Sequence, residues 1–138
     1  MFYKKKFEII KNSNGSILKL IKLKTKSIKK EIYINKINPN VIKGWNLHKK
    51  YTCNIFLIKG ELEFLICNNS KKGKIKKVKL SLNKNNCIII KPNNWFSFRS
   101  VSREKEAIFL NLTDGFHSSR ELLKKSIYKF KNPVIDEI

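Results

Sequence analysis

Glycine, methionine, cysteine and histidine are all scarce in this chain of 138 residues, which has 5 Gly, 1 Met, 3 Cys and 2 His. Each scarcity closes off a class of function. With so few glycines there is no GxxxxGK phosphate loop. Two histidines, His48 and His117, fall short of the several histidines plus a carboxylate that a catalytic metal centre wants, so neither metal nor cofactor is expected. Cys53, Cys67 and Cys87 are an odd number without CxxC spacing. That argues against a disulfide framework and for reduced thiols acting as small core residues. No Ser-His-Asp or Cys-His arrangement stands out, and Cys53 sits in an apolar run with nothing local to activate it.

Long apolar runs are missing too. None approaches the ~20 residues that span a bilayer. The N-terminal MFYKKKFEII is not followed by an apolar h-region, so the reading is no signal peptide, no membrane and a cytoplasmic protein.

Lysine is what the chain has in excess. Lys and Arg total 31 against 10 acids, a formal charge of +21. Such a balance is the electrostatic footprint of nucleic-acid binding. Yet the arginines are only Arg99, Arg103 and Arg120, and arginine is the better bidentate reader of phosphates and bases. The lysines are also spread along the chain, and Lys, Asn and Ile dominate together as in an AT-rich genome. Nucleic acid is therefore not the expected partner. A general attraction for anionic ligands such as nucleotide diphosphates survives.

Hydrophobic content of 41% and aromatic content of 11% suit one globular domain, residues 1–138, with a basic segment 1–14 and an extension 115–138. The pattern along the chain reads as all-β. Asn12 to Ser16 is a turn cluster, Ile17 to Lys24 is ambiguous between strand and helix, and Lys24 to Lys30 reads as a charged linker. Glu31 to Asn35 favours a strand, and Leu62, Phe64 and Ile66 alternate with Glu61 and Glu63. Lys59-Gly60 reads as a tight hairpin. Ile55 to Ile58, Cys87 to Ile90 and Ala107 to Leu112 are apolar runs that read as strands covered on both faces. Ser118 to Glu121 has capping-box spacing and predicts a short helix through Leu122 and Leu123. The count is about eight strands and one late helix, a jelly roll or small barrel.

The segment VIKGWNLHKKYTCNIFLIKG, Val41 to Gly60, organises the rest. It joins a polar, aromatic, His-bearing entry to an apolar run. In a closed β structure that entry falls at the mouth, a common small-molecule site.

GWNLHKKYT, then Gly60, then IIIKPNNWFSF, then LNLTDGFH with its trailing SSRELLKKSIYKF, resemble the cupins related to dTDP-4-dehydrorhamnose 3,5-epimerase. The nucleotide-sugar 3,4-ketoisomerases are close relatives of these. The resemblance covers about Gly15 to Tyr128 and implies a double-stranded β-helix, a homodimer, and no metal. It implies proton abstraction next to the ketone of a nucleotide-linked 4-keto-sugar, in the synthesis of surface polysaccharide or lipopolysaccharide sugars. That chemistry needs a base, donors for the enolate oxygen, and cations or amides for the diphosphate.

Carried over by position, His48 matches the second His of the GWHxH motif and becomes the expected catalytic base. Asn46 stands where relatives have the epimerase base, Phe96 where they have a further His, and Phe116 where they have the tyrosine acid. The full 3,5-epimerase set is absent, which leaves either a one-base isomerisation or a cupin that only binds. Lys43, Lys50 and Arg99 are the expected phosphate contacts, and Trp45 and Trp95 the candidates for stacking on a sugar or base. Asn46, Thr52, Asn54 and Asn111 are expected to point inward toward sugar hydroxyls. His117, beside Asp114, reads as a loop or dimer-contact residue.

Overall fold

The computed structural model describes residues 8–24, 29–70, 73–116 and 122–124, and there the backbone forms eleven strands and no helix. One sheet has six strands, in the order β1 (Glu8–Asn12), β2 (Gly15–Lys24), β3 (Lys29–Ile37), β10 (Ala107–Thr113), β5 (Cys53–Lys59), β8 (Cys87–Ile90). The other has five, in the order β11 (Leu122–Lys124), β4 (Ile42–His48), β9 (Asn94–Ser100), β6 (Leu62–Asn68), β7 (Lys76–Leu80). Neighbours in both sheets are antiparallel.

The side-chain period of two decides which residues meet between the sheets. On β10, Ala107, Phe109, Asn111 and Thr113 are buried and the residues between them only partly so. Phe109 reaches across to the other sheet and meets Phe98 edge-on, with centroids 5.3 Å apart and rings at 85°. Phe64 lies 5.3 Å from Phe98 and completes the trio. Such aromatic pairs add about 0.5–1.5 kcal/mol each beyond the area they bury. Ile37, Leu57, Leu62, Leu80 and Ala107 pack with the trio in one core cluster. A second cluster, Trp45, Leu47, Cys67 and Trp95, forms on the outward side of the five-stranded sheet.

Several expectations are corrected. Ile55 is 1% exposed, but Phe56 and Ile58 are 43% and 53% exposed, so β5 is covered on one face only. β8 is the same, with Ile90 buried, Ile89 at 62% and Cys87 exposed. The cause is architectural: each sheet is buried by the other, and no described element covers the outer face of the six-stranded sheet there. Lys59-Gly60 is not a hairpin but a crossover, because β5 and β6 belong to different sheets. Gly60 turns the chain at φ +79°, and a Cβ there would come within 2.8 Å of the Glu106 carbonyl.

A tight hairpin turn occurs earlier, where Asn12 pairs with Gly15 across the turn and Asn14 N–H donates to Asn12 Oδ1 at 2.9 Å. Part of the basic N-terminal segment is thus strand β1. The expected helix is also revised. Ser118 to Glu121 and His117 lie outside the described residues, but Leu122 and Leu123 are in β11, paired with β4. The free edge of β4 offers ladder hydrogen bonds that outweigh a capping signal. No helix among the described residues is long and apolar enough to cross a membrane.

Candidate functional site

β3 and β10 lie side by side, with Tyr33 opposite Asn111 and Asn35 opposite Phe109. Residues directly opposite share a face, so these four look into the sandwich together. From the other sheet, β4 and β9 contribute Asn46 opposite Phe96, and β11 places Leu122 opposite His48 and Lys124 opposite Asn46. These residues, with Ile10, Ile17, Ile55 and Phe98, line a cavity of about 280 Å³. Phe109, Phe96, Phe98 and Asn111, each at most 8% exposed, make its floor. Exposed Ile10 and Lys124 lie at its rim.

His48 lines this cavity, and its ring has two aromatic neighbours. Tyr51 stacks at 6.1 Å and 28°, and Phe96 at 6.0 Å and 21°. Asn46 lines the cavity one inward position before His48 on β4.

Tyr33 supplies a phenol that stays protonated. Burial drives its pKa up to about 12, the hydrogen bond with Thr113 opposes the rise, and nearby Glu31 adds to it. Asn111 is 8% exposed, and its Oδ1 has no hydrogen-bond partner. A buried acceptor left unmatched costs about 1–3 kcal/mol. The cavity therefore holds two amides on β3 and β10, one on β4, a phenol, an imidazole and one lysine. Among the described residues no group of three or more His, Cys, Asp or Glu is placed to hold a metal ion.

The remaining sequence candidates fall elsewhere. Trp45 and Trp95 belong to the outer cluster and do not line the cavity, and Trp95 Nε1 donates to Asn69 Oδ1 at 3.2 Å. Asn54 lies on the opposite face of β5 from Ile55, and its Nδ2 donates to the Leu112 carbonyl at 3.0 Å. Thr52 precedes β5, where its N–H donates to Asp114 Oδ1 at 2.8 Å. Lys50 is exposed in the turn after β4. Arg99 points outward and binds Glu63 at 3.1 Å, in a separate hollow of about 420 Å³ that Lys77 also lines. Lys43 is the Cα partner of Phe98, and partial burial lowers the pKa of its amine.

Three polar lining residues had no place in the sequence reading: Tyr33, Asn35 and Lys124. The period-two pattern of Glu31, Tyr33, Asn35 and Ile37 would have found the first two. Lys124 was hidden behind the expected helix.

No family model matches this chain, and no curated protein matches it in sequence. Solved structures match it in fold. The fold is that of a cupin, a double-stranded β-helix of two antiparallel sheets. A dTDP sugar isomerase from Desulfovibrio desulfuricans G20 aligns at TM-score 0.68 and 21% identity, over 93% of this chain and 85% of that one. The capsular polysaccharide assembling protein CapF from Staphylococcus aureus gives TM-score 0.75 at 11% identity, over 88% of this chain and 32% of that one. Oxalate decarboxylase from Bacillus subtilis gives 0.67 at 11% identity, over 85% and 29%. The chain thus spans about a third of the length of those last two proteins.

Proposed function

We propose that this chain is a metal-free cupin that binds a nucleotide-linked 4-keto-sugar and isomerises it in the synthesis of surface polysaccharide sugars. The observation that carries this reading is the imidazole of His48, with the Tyr51 and Phe96 rings as near-parallel neighbours, lining a cavity that also holds amides and a phenol. A volume of about 280 Å³ is close to the roughly 300 Å³ at which small-molecule pockets begin. The fold neighbours support the same class, since one is a dTDP sugar isomerase and another a capsular polysaccharide assembling protein.

In the proposed reaction His48 takes the proton from the carbon next to the ketone. The C–H electron pair becomes the double bond of an enediol, and the carbonyl oxygen takes up negative charge. Tyr33 and the cavity amides donate hydrogen bonds to that oxygen. The hydroxyl on the deprotonated carbon then passes its proton to the former carbonyl oxygen and becomes the new ketone. The electron pair of the double bond takes the imidazolium's proton at the neighbouring carbon, so one group both removes and delivers the carbon-bound proton. The wider likeness to epimerase-related cupins carries a homodimer in the cytoplasm as part of this reading.

A second reading is favoured by Asn46, which lines the cavity and which the resemblance of GWNLH to the cupin motif sets in place of the first motif histidine. An amide takes up no proton at neutral pH, and the chain would then bind a nucleotide-sugar without turning it over. Incubation with dTDP-4-keto-6-deoxyglucose in deuterated water, followed by NMR, separates the two. Deuterium incorporation that disappears in His48→Ala supports the isomerase; binding without incorporation favours the second reading.

A further inference from the structure

Strand β11 is short, yet it places a charge that nothing else lining the cavity supplies. Its register on β4 sets Leu122 beside His48 and Lys124 beside Asn46, and both Leu122 and Lys124 line the cavity. No arginine, aspartate or glutamate lines it, so Lys124 is its one permanent charge among the described residues. The nearest inward acid on β3 is Glu31, 1% exposed and next beyond Tyr33 on the same face, and it is not a lining residue. A cavity with a cation at the rim and no lining carboxylate favours an anion at that rim. At the floor, the unpartnered Oδ1 of Asn111 asks for a donor.

We propose that Lys124 holds the phosphate end of the ligand at the cavity rim while Asn111 Oδ1 accepts a hydroxyl of its neutral end. The ligand class is thus a polyol joined to phosphate, with the sugar inward and the charge outward. The inference rests on reading this cavity as a sugar site. It makes β11 a working part of that site, so the phosphate contact comes from this strand and not from Arg99, which faces the other way.

Isothermal titration calorimetry with sodium pyrophosphate, dTDP and dTDP-glucose tests it on the full chain. Lys124→Glu should weaken dTDP and dTDP-glucose by about tenfold or more, and Lys124→Arg should stay close to wild type. Lys84→Glu makes the same charge change at an exposed turn and should leave affinity unaltered. Asn111→Leu should weaken dTDP-glucose but not dTDP. Equal losses for Lys124→Glu and Lys84→Glu would overturn the proposal, as would a wild type that binds none of the three ligands. Tight dTDP-glucose binding untouched by Lys124→Glu overturns the Lys124 contact and leaves the sugar reading intact. Lys124-dependent binding in which dTDP-glucose gains nothing over pyrophosphate keeps the anion contact and removes the sugar reading. Circular dichroism melts of each variant separate lost affinity from lost fold.

Discussion

The phenol of Tyr33 lies 3.3 Å from Thr113 Oγ1, and the threonine hydroxyl is in turn 2.7 Å from the Gly115 carbonyl. Thr113 has a single proton, and the shorter contact takes it. The 3.3 Å contact is thus left weak, and the Tyr33 hydroxyl is only loosely committed to it. A ligand oxygen in the cavity can compete for that hydroxyl. Tyr33→Phe should cut turnover by about 10²-fold, within the usual range for a lost proton-donating group, while substrate affinity changes little. Stopped-assay kinetics reporting kcat and KM separately would check this.

The same tyrosine gives a pH signature. Burial holds its proton to about 12, against an ordinary value of 10.0. Between those values the folded chain keeps a proton that the unfolded chain has lost. The contribution of Tyr33 to stability is thus complete below pH 10 and falls away as pH rises toward 12. Absorbance titration at alkaline pH should contain one late tyrosine step, missing in Tyr33→Phe.

Asn111 predicts an opposition between stability and binding. Its Oδ1 is buried and matched by no protein donor, so Asn111→Leu removes a desolvation cost without a large change in shape. Urea unfolding should show a gain of about 1 kcal/mol in the variant. A loss would mean that the asparagine is satisfied in the unliganded protein.

Trp45 and Trp95 should act on the fold and not on the ligand. Both are at most 2% exposed in the outer cluster. Trp45→Ala should cost about 3–5 kcal/mol. Trp95→Phe, which keeps a ring but loses the bond to Asn69, should be milder and leave ligand affinity unchanged. Denaturant midpoints beside calorimetric affinities would distinguish this from a stacking role.

The all-β architecture was legible because the alternation of Leu62, Phe64 and Ile66 along β6 and the turn cluster from Asn12 to Ser16 are local signals. Facing was less legible. The run Ile55 to Ile58 is apolar at every position, so composition alone hid that Phe56 and Ile58 look outward. The polar inward residues split the same way. His48 was found through the resemblance of GWNLH to a cupin motif, and Asn46 and Asn111 as polar residues at alternate strand positions; all three line the cavity. Asn54 was misjudged because the register of β5 depends on pairing with β10, and sequence spacing carries no record of that pairing. Lys124 was missed for a similar reason, since a three-residue strand exists only because a distant edge receives it.

One strand dictates when this chain can assemble. β10 lies between β3 and β5, which do not otherwise touch in the sheet order. Everything from β3 through β9 leaves the ribosome before the strand that zips β3 to β5 exists. Bringing such distant partners together is entropically slow. A nascent chain ending before Ala107 would thus present two unzipped sheet edges, the kind of exposed edge that invites pairing with another chain.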